Sequence, residues 1–327
     1  MAPSFKRWPK NHGFGAIRLL RLALFLCFLT MLYRRFDSKS TLTHVILMSY
    51  NNTSGNERHE ITCSQILKFL SGEFGEVRVH LVWNSKPVPP PCGHIKHTAF
   101  LTHSFEVNTL NNRWYVLGQL TRQLNSKEIR FLMLDDDLYI SPALSHALTS
   151  ATSGLVPAIA GPYTRRFKIS DNGTLTYIME DNFSESSRVE YHHILPRVLM
   201  LNIAAAKLLK KYFVAGTDLA RIIDRTTTED LLASLAMNFE GGRLIRTVPC
   251  AHSIQDVFES CRAVRVRGLA TRKDWVGTRD AALKELHNAL GSFKVSTYRN
   301  TYRYDGNECI PSFKFFKDRR NICRNDI

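Results

Sequence analysis

From Thr43 onward, short continuous apolar runs alternate with stretches in which apolar residues return every three or four positions. Residues 44–48 read as a buried strand and residues 57–70 as an amphipathic helix. Residues 76–83 form a second strand pattern, followed by a proline-rich loop at 87–92. Residues 110–124 have helical spacing, and 129–134 are a short apolar strand running into three aspartates. Apolar runs without polar alternation mark strands covered on both faces, as in a parallel sheet flanked by helices. The predicted class is doubly wound α/β.

The second half has a more antiparallel pattern. Residues 166–170 and 174–179 flank Asp171-Asn172-Gly173, a hairpin-turn signal. Residues 194–201 are a further strand, which Pro196 confines to an edge or a strand start. Residues 228–239 form a helix with Thr228 or Thr227 as N-cap and Leu231, Leu232, Leu235 and Phe239 on one face. There is no internal repeat, and no linker that separates two domains.

The first fifty residues have a different pattern. Lys6, Arg7, Lys10, Arg18 and Arg21 precede an apolar run at 22–33, which Arg34 and Arg35 close. The run is shorter than the roughly 17–25 residues of a bilayer span. Extending it to Ile17 lets Arg18 and Arg21 snorkel toward the headgroups, and no small-residue cleavage site follows. The segment therefore reads as an uncleaved signal anchor, with a cleaved signal peptide or a buried helix as the alternatives. The resulting organisation is a cytoplasmic basic tail (1–16), a signal anchor (17–35), a short stem (36–42), a folded domain (43–305) and a basic C-terminal tail (306–327). A single-pass type II protein with its domain in the Golgi or endoplasmic reticulum lumen is expected.

The formal net charge of +15 is concentrated at the two ends. Residues 1–35 hold seven Lys/Arg and no acid, and 262–327 hold fifteen against seven, so the middle is neutral. Nucleic-acid binding needs basic charge on the folded domain, and that reading is set aside. Cys63, Cys92, Cys250, Cys261, Cys309 and Cys323 lie beyond the apolar run, and no C-x-x-C pair points to structural zinc. Sequons stand at Asn51, Asn52, Asn172 and Asn182.

The sharpest chemical feature is Asp135-Asp136-Asp137 at the end of the apolar strand. In an α/β sheet the carboxyl ends of strands are where ligands bind. Strand alternation puts Asp135 and Asp137 on one side and Asp136 on the other. Hard carboxylate oxygens together with diphosphate oxygens suit Mn²⁺ or Mg²⁺. A solvated acidic loop is the plain alternative, and context argues against it. Asn108-Thr109-Leu110-Asn111-Asn112-Arg113 precedes the acids by one helix and one strand. Thr226-Thr227-Thr228-Glu229-Asp230 opens a helix whose N-terminus is positive.

The order and spacing of these pieces resemble the exostosin-like family, in its C-terminal α-N-acetylhexosaminyltransferase domain. The resemblance spans residues 43–302. It includes Ser49-Tyr50-Asn51, Leu81-Val82-Trp83-Asn84, Asn108 with Arg113, the three aspartates, Thr228-Glu229-Asp230 with Met237-Asn238-Phe239, and Trp275-Val276-Gly277-Thr278-Arg279. It implies a GT-A fold, a UDP-sugar donor, a divalent metal (Mn²⁺ or Mg²⁺) and transfer with retention. By the same resemblance Asn84, Asn108 and Arg113 hold uridine and diphosphate, with Arg58 as a further donor-binding arginine. Asp135 and Asp136 face ribose and sugar, and Asp137 is the main metal ligand, with Asp135 beside it. Asp230 and Arg279 stand beside the reacting sugar. The family's cysteines two before the Asp230 position and three after the Arg279 position are here Thr228 and Ala282. The acceptor expected is a glycan or a glycolipid. The competing reading from another class is a catalytically silent glycan- or polyanion-binding protein.

Overall fold

The apolar run that starts at Thr43 becomes a strand buried along its whole length, β1 (Thr43–Ser49). The computed structural model describes residues 41–49, 57–84, 92–93, 95–124, 126, 128–178, 191–248, 254–256, 274–298 and 301–303. The anchor, the stem, the basic tail at 306–327, Cys250, Cys261, Cys309 and Cys323, and the sequons Asn51, Asn52 and Asn182 lie outside them. Among the described residues no helix is long and apolar enough to cross a membrane.

The strands that follow are β2 (Val77–Asn84), β3 (Phe100–Phe105), β4 (Arg130–Asp135), β5 (Leu138–Ile140), β6 (Ala158–Gly161) and β7 (Thr164–Ile169). Then come β8 (Leu175–Ile178), β9 (His193–Ile194), β10 (Val198–Asn202), β11 (Arg243–Val248), β12 (Ile254–Asp256) and β13 (Thr301–Arg303). Eight strands form the central sheet in the order β13-β11-β6-β10-β4-β1-β2-β3. All its pairings are parallel except those of β10, which runs against both β4 and β6. β7 pairs antiparallel with β8 and β9, and β5 pairs antiparallel with β12. The result is the expected mostly parallel, Rossmann-like α/β sheet with a smaller antiparallel part.

Helices cover both faces, so the inner strands are apolar at most positions. On one face Ile46, Phe131 and Met133 pack with Trp114 and Leu117 of α2 (Asn112–Gln123). On the other, Val45, Leu132 and Leu134 meet Ile66 of α1 (Glu57–Phe69) and Leu148 of α3 (Pro142–Ala151). Each such side chain contributes about 1.5–3 kcal/mol when fully buried. Four more helices complete the coat: α4 (Ile203–Leu209), α5 (Asp218–Thr226), α6 (Glu229–Phe239) and α7 (Trp275–Ala289).

Three details depart from the sequence reading. Pro196 ends one pairing and precedes another: residues 194–201 split into β9 and β10, and β10 is an interior strand. Thr228 stands at the N-cap position of α6, but its hydroxyl bonds Thr226 Oγ1 at 2.7 Å and caps nothing. Thr227 instead closes α5 in the left-handed region at φ 50°. Phe239 is 47% exposed, while residues 229–237 are buried on every side, so α6 is a core helix without one apolar face. Cys63 and Cys92 form a disulfide, tying α1 to the segment after β2. Their cluster with His59 has both sulfurs already committed.

A line of three imidazoles crosses β1, β2 and β3. His44 Nδ1 lies 2.9 Å from His80 Nε2, and His80 Nδ1 lies 3.2 Å from His103 Nε2. His44 Nε2 is buried with no partner, so the consistent tautomers have each Nδ1–H donating outward along the line. Burial, reinforced by Arg78, lowers His44 to about 4 and, with its two histidine neighbours, His80 to about 3. The unfolded chain therefore takes up protons below about pH 6.5 that the folded chain refuses. Stability is expected to fall as pH drops from 6.5 toward 4, by up to about 1.4 kcal/mol per pH unit for His80. Urea denaturation of His80→Gln at pH 7, 5.5 and 4.5 checks this. A pH slope as steep as that of the parent protein would remove His80 from the effect.

Candidate functional site

Three parallel strands deliver their carboxyl ends to one rim. In register, Met48 faces Asp135 across β1 and β4, and Ser49 faces Trp83 across β1 and β2. Ser49, Asn84 and Asp135 thus end neighbouring strands. The reversal of β10 adds a fourth contribution, because its start and not its end arrives here. Asp135 N donates to Arg197 O at 3.1 Å, which places 196–197 against the acidic triplet. Gly161 makes this approach possible: a Cβ there would lie 2.7 Å from Val198 O and 2.6 Å from Ile194 Cγ2.

The acids divide as strand alternation predicts. Asp136 is fully buried and accepts a 2.5 Å hydrogen bond from Ser49 Oγ, which also lies 3.0 Å from Thr62 Oγ1. Asp135 and Asp137 point the other way and are 24% and 23% exposed. Arg197 spans them, with Nε 3.7 Å from Asp135 Oδ2 and Nη2 3.4 Å from Asp137 Oδ2. Two hard carboxylates already converging on one cationic group fit a divalent ion such as Mn²⁺ or Mg²⁺. Asp135 and Asp137 are the residues that would hold it.

Behind them Arg113 is buried at the start of α2. Its Nη2 donates to Asp135 Oδ1 at 2.9 Å and its Nη1 to Pro196 O at 2.9 Å. Asn84 is also buried, accepting from Asn112 Nδ2 at 2.7 Å and donating to Thr109 O at 3.2 Å. The turn that carries Asn108 is thereby fixed to β2, while Asn108 itself is exposed. Arg58 is in the first turn of α1, and its side chain lies outside the described residues.

The second half of the site starts where α5 turns into α6. Only Thr227 and Thr228 separate the helices, and a β-branched residue at φ 50° is a costly way to turn. The turn drives Glu229 and Asp230 into the interior. Asp230 pairs with Arg279 of α7, and both are nearly inaccessible to solvent. Arg279 also lies over the rings of Tyr177 (4.7 Å) and Trp275 (5.2 Å). Asp280 next to it accepts from Tyr177 N at 3.0 Å, which docks α7 on the hairpin. His193 Nε2 lies 3.6 Å from Asp230 Oδ2, an electrostatic contact longer than a formed hydrogen bond.

Burial alone would raise Asp230, but Arg279 and His193 outweigh it and hold its carboxyl well below the usual range. Glu229 goes the other way. Burial and the Asp230 charge push it up, more than Arg113 and Arg279 pull it down, so its protonated form is favoured. Burial lowers His193 to about 4 despite Asp230, leaving it neutral. Among the described residues, Glu229 Oε2, Asp230 Oδ1, Arg113 Nε and Arg279 Nε are buried without a hydrogen-bond partner. Buried polar atoms are seldom left so, and water, an ion or a ligand commonly completes their bonding.

Arg197, His193, Glu229, Tyr177 and Ser49 were not singled out from sequence as site residues. Ser49, Glu229 and Trp275 sit inside the quoted motifs. Arg197 follows Pro196, whose signal concerned strand position only. Reading β10 as antiparallel would have found it.

No protein-family model and no curated protein matches the chain. Among solved structures it is similar to the mannosyltransferase PcManGT from Pyrobaculum calidifontis in complex with GDP-Man and Mn²⁺, at 13% identity and TM-score 0.40, over 84% of this chain and 81% of that one. It is also similar to a putative nucleotide-diphospho-sugar transferase from Desulfovibrio desulfuricans G20 (10% identity, TM-score 0.38, 76% and 96% covered). A third is GalNAc-T7 with UDP, GalNAc and Mn²⁺ (10% identity, TM-score 0.36, 64% and 42% covered). At these scores the likenesses carry no inference about chemistry, which is argued from the site alone.

Proposed function

We propose that this chain is a metal-dependent, retaining glycosyltransferase that moves a sugar, N-acetylhexosamine foremost, from a UDP-sugar to a glycan or glycolipid acceptor. It would be an exostosin-like enzyme anchored by its N-terminal segment, with its domain in the Golgi or endoplasmic reticulum lumen. The observation that carries the reading is a pair of carboxylates at the end of β4 that share one guanidinium, with Arg113 behind them in electrostatic reach of Glu229. Asp135 and Asp137 converge on the Arg197 guanidinium, and Glu229 is followed by the buried Asp230–Arg279 pair. The luminal placement is supported by the Cys63–Cys92 disulfide and by the sequon at Asn172, which is exposed on its hairpin turn.

A bound Mn²⁺ or Mg²⁺ would supply positive charge to a departing diphosphate. Arg113 and Arg197 add two more guanidinium groups on the same side of the rim. Asp230 stays ionised, and so can stabilise the oxocarbenium-like character that develops at the anomeric carbon. Arg279 fixes its carboxylate, and neutral His193 backs it. Glu229 makes a poor second carboxylate nucleophile, because burial beside Asp230 favours its protonated form. Retention then runs by front-face attack, with a departing phosphate oxygen taking the acceptor's proton.

Screening a panel of UDP-sugars with Mn²⁺, and reading released UDP, tests the proposal. Metal-dependent release from one or a few donors is expected. A chain that binds glycans but releases UDP from none would be the silent binding protein instead.

A further inference from the structure

Resting on that donor-site reading, we propose that Arg197 is a built-in counterion for the Asp135–Asp137 pair, a positioning residue that a divalent cation must displace. The geometry is that of an exchangeable partner. Arg113 holds Asp135 firmly, in a 2.9 Å bond from a buried guanidinium. Arg197 reaches the same carboxylate only at 3.7 Å and Asp137 at 3.4 Å, and its side chain is 35% exposed. Its guanidinium also lies 5.3 Å from the centre of the Tyr163 ring, a cation–π perch beside the acids. A partly exposed guanidinium that reaches the acids at 3.4–3.7 Å can yield them to a stronger cation, whereas the 196–197 backbone is pinned by Arg113 Nη1 and Asp135 N. The side chain can therefore swing while its anchor stays in place.

Two consequences follow. Without nucleotide, the metal competes with an arginine that is covalently present at the rim, and its apparent affinity falls by the fraction of time the acids are uncovered. With nucleotide, the displaced guanidinium has a diphosphate to bind, for which its planar fork is suited. Metal and nucleotide would thus favour each other's binding through one side chain.

The test uses the full-length chain and follows free Mn²⁺ by electron paramagnetic resonance, with no nucleotide present. If Arg197 covers the acids about nine-tenths of the time, Arg197→Gln should bind Mn²⁺ about tenfold more tightly than the parent. Arg197→Lys, which keeps the charge, should stay closer to the parent. In the same variants, UDP affinity at saturating Mn²⁺, measured by calorimetry, should weaken about tenfold for Arg197→Gln. Mn²⁺ affinity that is unchanged or weaker in Arg197→Gln overturns the counterion role. Failure of the donor reading looks different: the parent chain would then bind no UDP at any Mn²⁺ concentration. Because Arg197 is partly exposed, an unchanged thermal midpoint is expected and confirms that the comparison is between folded proteins.

Discussion

Asp230→Asn is expected to lower kcat by about 10²–10³ while leaving UDP affinity nearly unchanged. The residue sits in the first turn of α6, away from the rim positions assigned to uridine, so ground-state binding has little to lose. Its charge matters only as positive charge develops on the sugar, in a site from which water is excluded. Arg279→Ala should cost similar activity but also stability. Removing one partner of a buried pair strands the other, at about 3–5 kcal/mol. Asp230→Asn keeps the shape and an acceptor oxygen but leaves the Arg279 charge uncompensated, so kcat is read per folded molecule beside the thermal midpoint. A purely structural Asp230 would act through its buried pair with Arg279, whose loss costs about 3–5 kcal/mol of stability, and turnover of the folded protein would survive. Near-normal kcat with a lowered thermal midpoint in Asp230→Asn would sink the catalytic assignment.

Asp137→Ala should abolish Mn²⁺-dependent UDP binding with the fold intact. Asp137 follows β4, is only partly buried, and shares Arg197 with Asp135. Even outer partners of metal ligands cost about 10–100-fold in metal affinity, so a direct ligand should cost at least about 100-fold. Calorimetry with UDP, with and without Mn²⁺, reads the effect. An affinity close to that of the parent chain would take Asp137 out of the metal shell.

Much of the frame was legible because burial on two faces leaves an unmistakable record. β1 and β4 are apolar at nearly every position, since Ile46 and Phe131 meet one helical layer while Val45 and Leu132 meet the other. The acids after β4 stood out for the same reason: polarity appears where an apolar strand leaves the core. What stayed hidden depends on direction and on distant partners. Nothing in 198–202 says that this strand runs backwards, so the arrival of Arg197 beside the aspartates was unreadable. The Asp230–Arg279 pair spans 49 residues, and only the resemblance put the two together. Glu229 looks like an ordinary acid at a helix start until the structure shows it enclosed. The Thr227 turn that encloses it requires a φ that threonine seldom adopts, so local sequence argued against it.

The pairing of guanidinium and carboxylate along the rim also sets its electrical balance. Apart from Asp136, which turns inward to Ser49, the ion pairs match one to one: Arg113, Arg197 and Arg279 stand against Asp135, Asp137 and Asp230. A bare divalent cation entering this rim leaves it electropositive, and a bare nucleotide diphosphate leaves it electronegative. Either state is expensive where the surroundings are poorly polarisable. A diphospho-sugar that arrives with its cation cancels its own charge and disturbs nothing. On the proposed donor reading, these ion pairs would act as an electroneutrality filter, favouring the metal–nucleotide complex over its separate parts before any sugar is recognised.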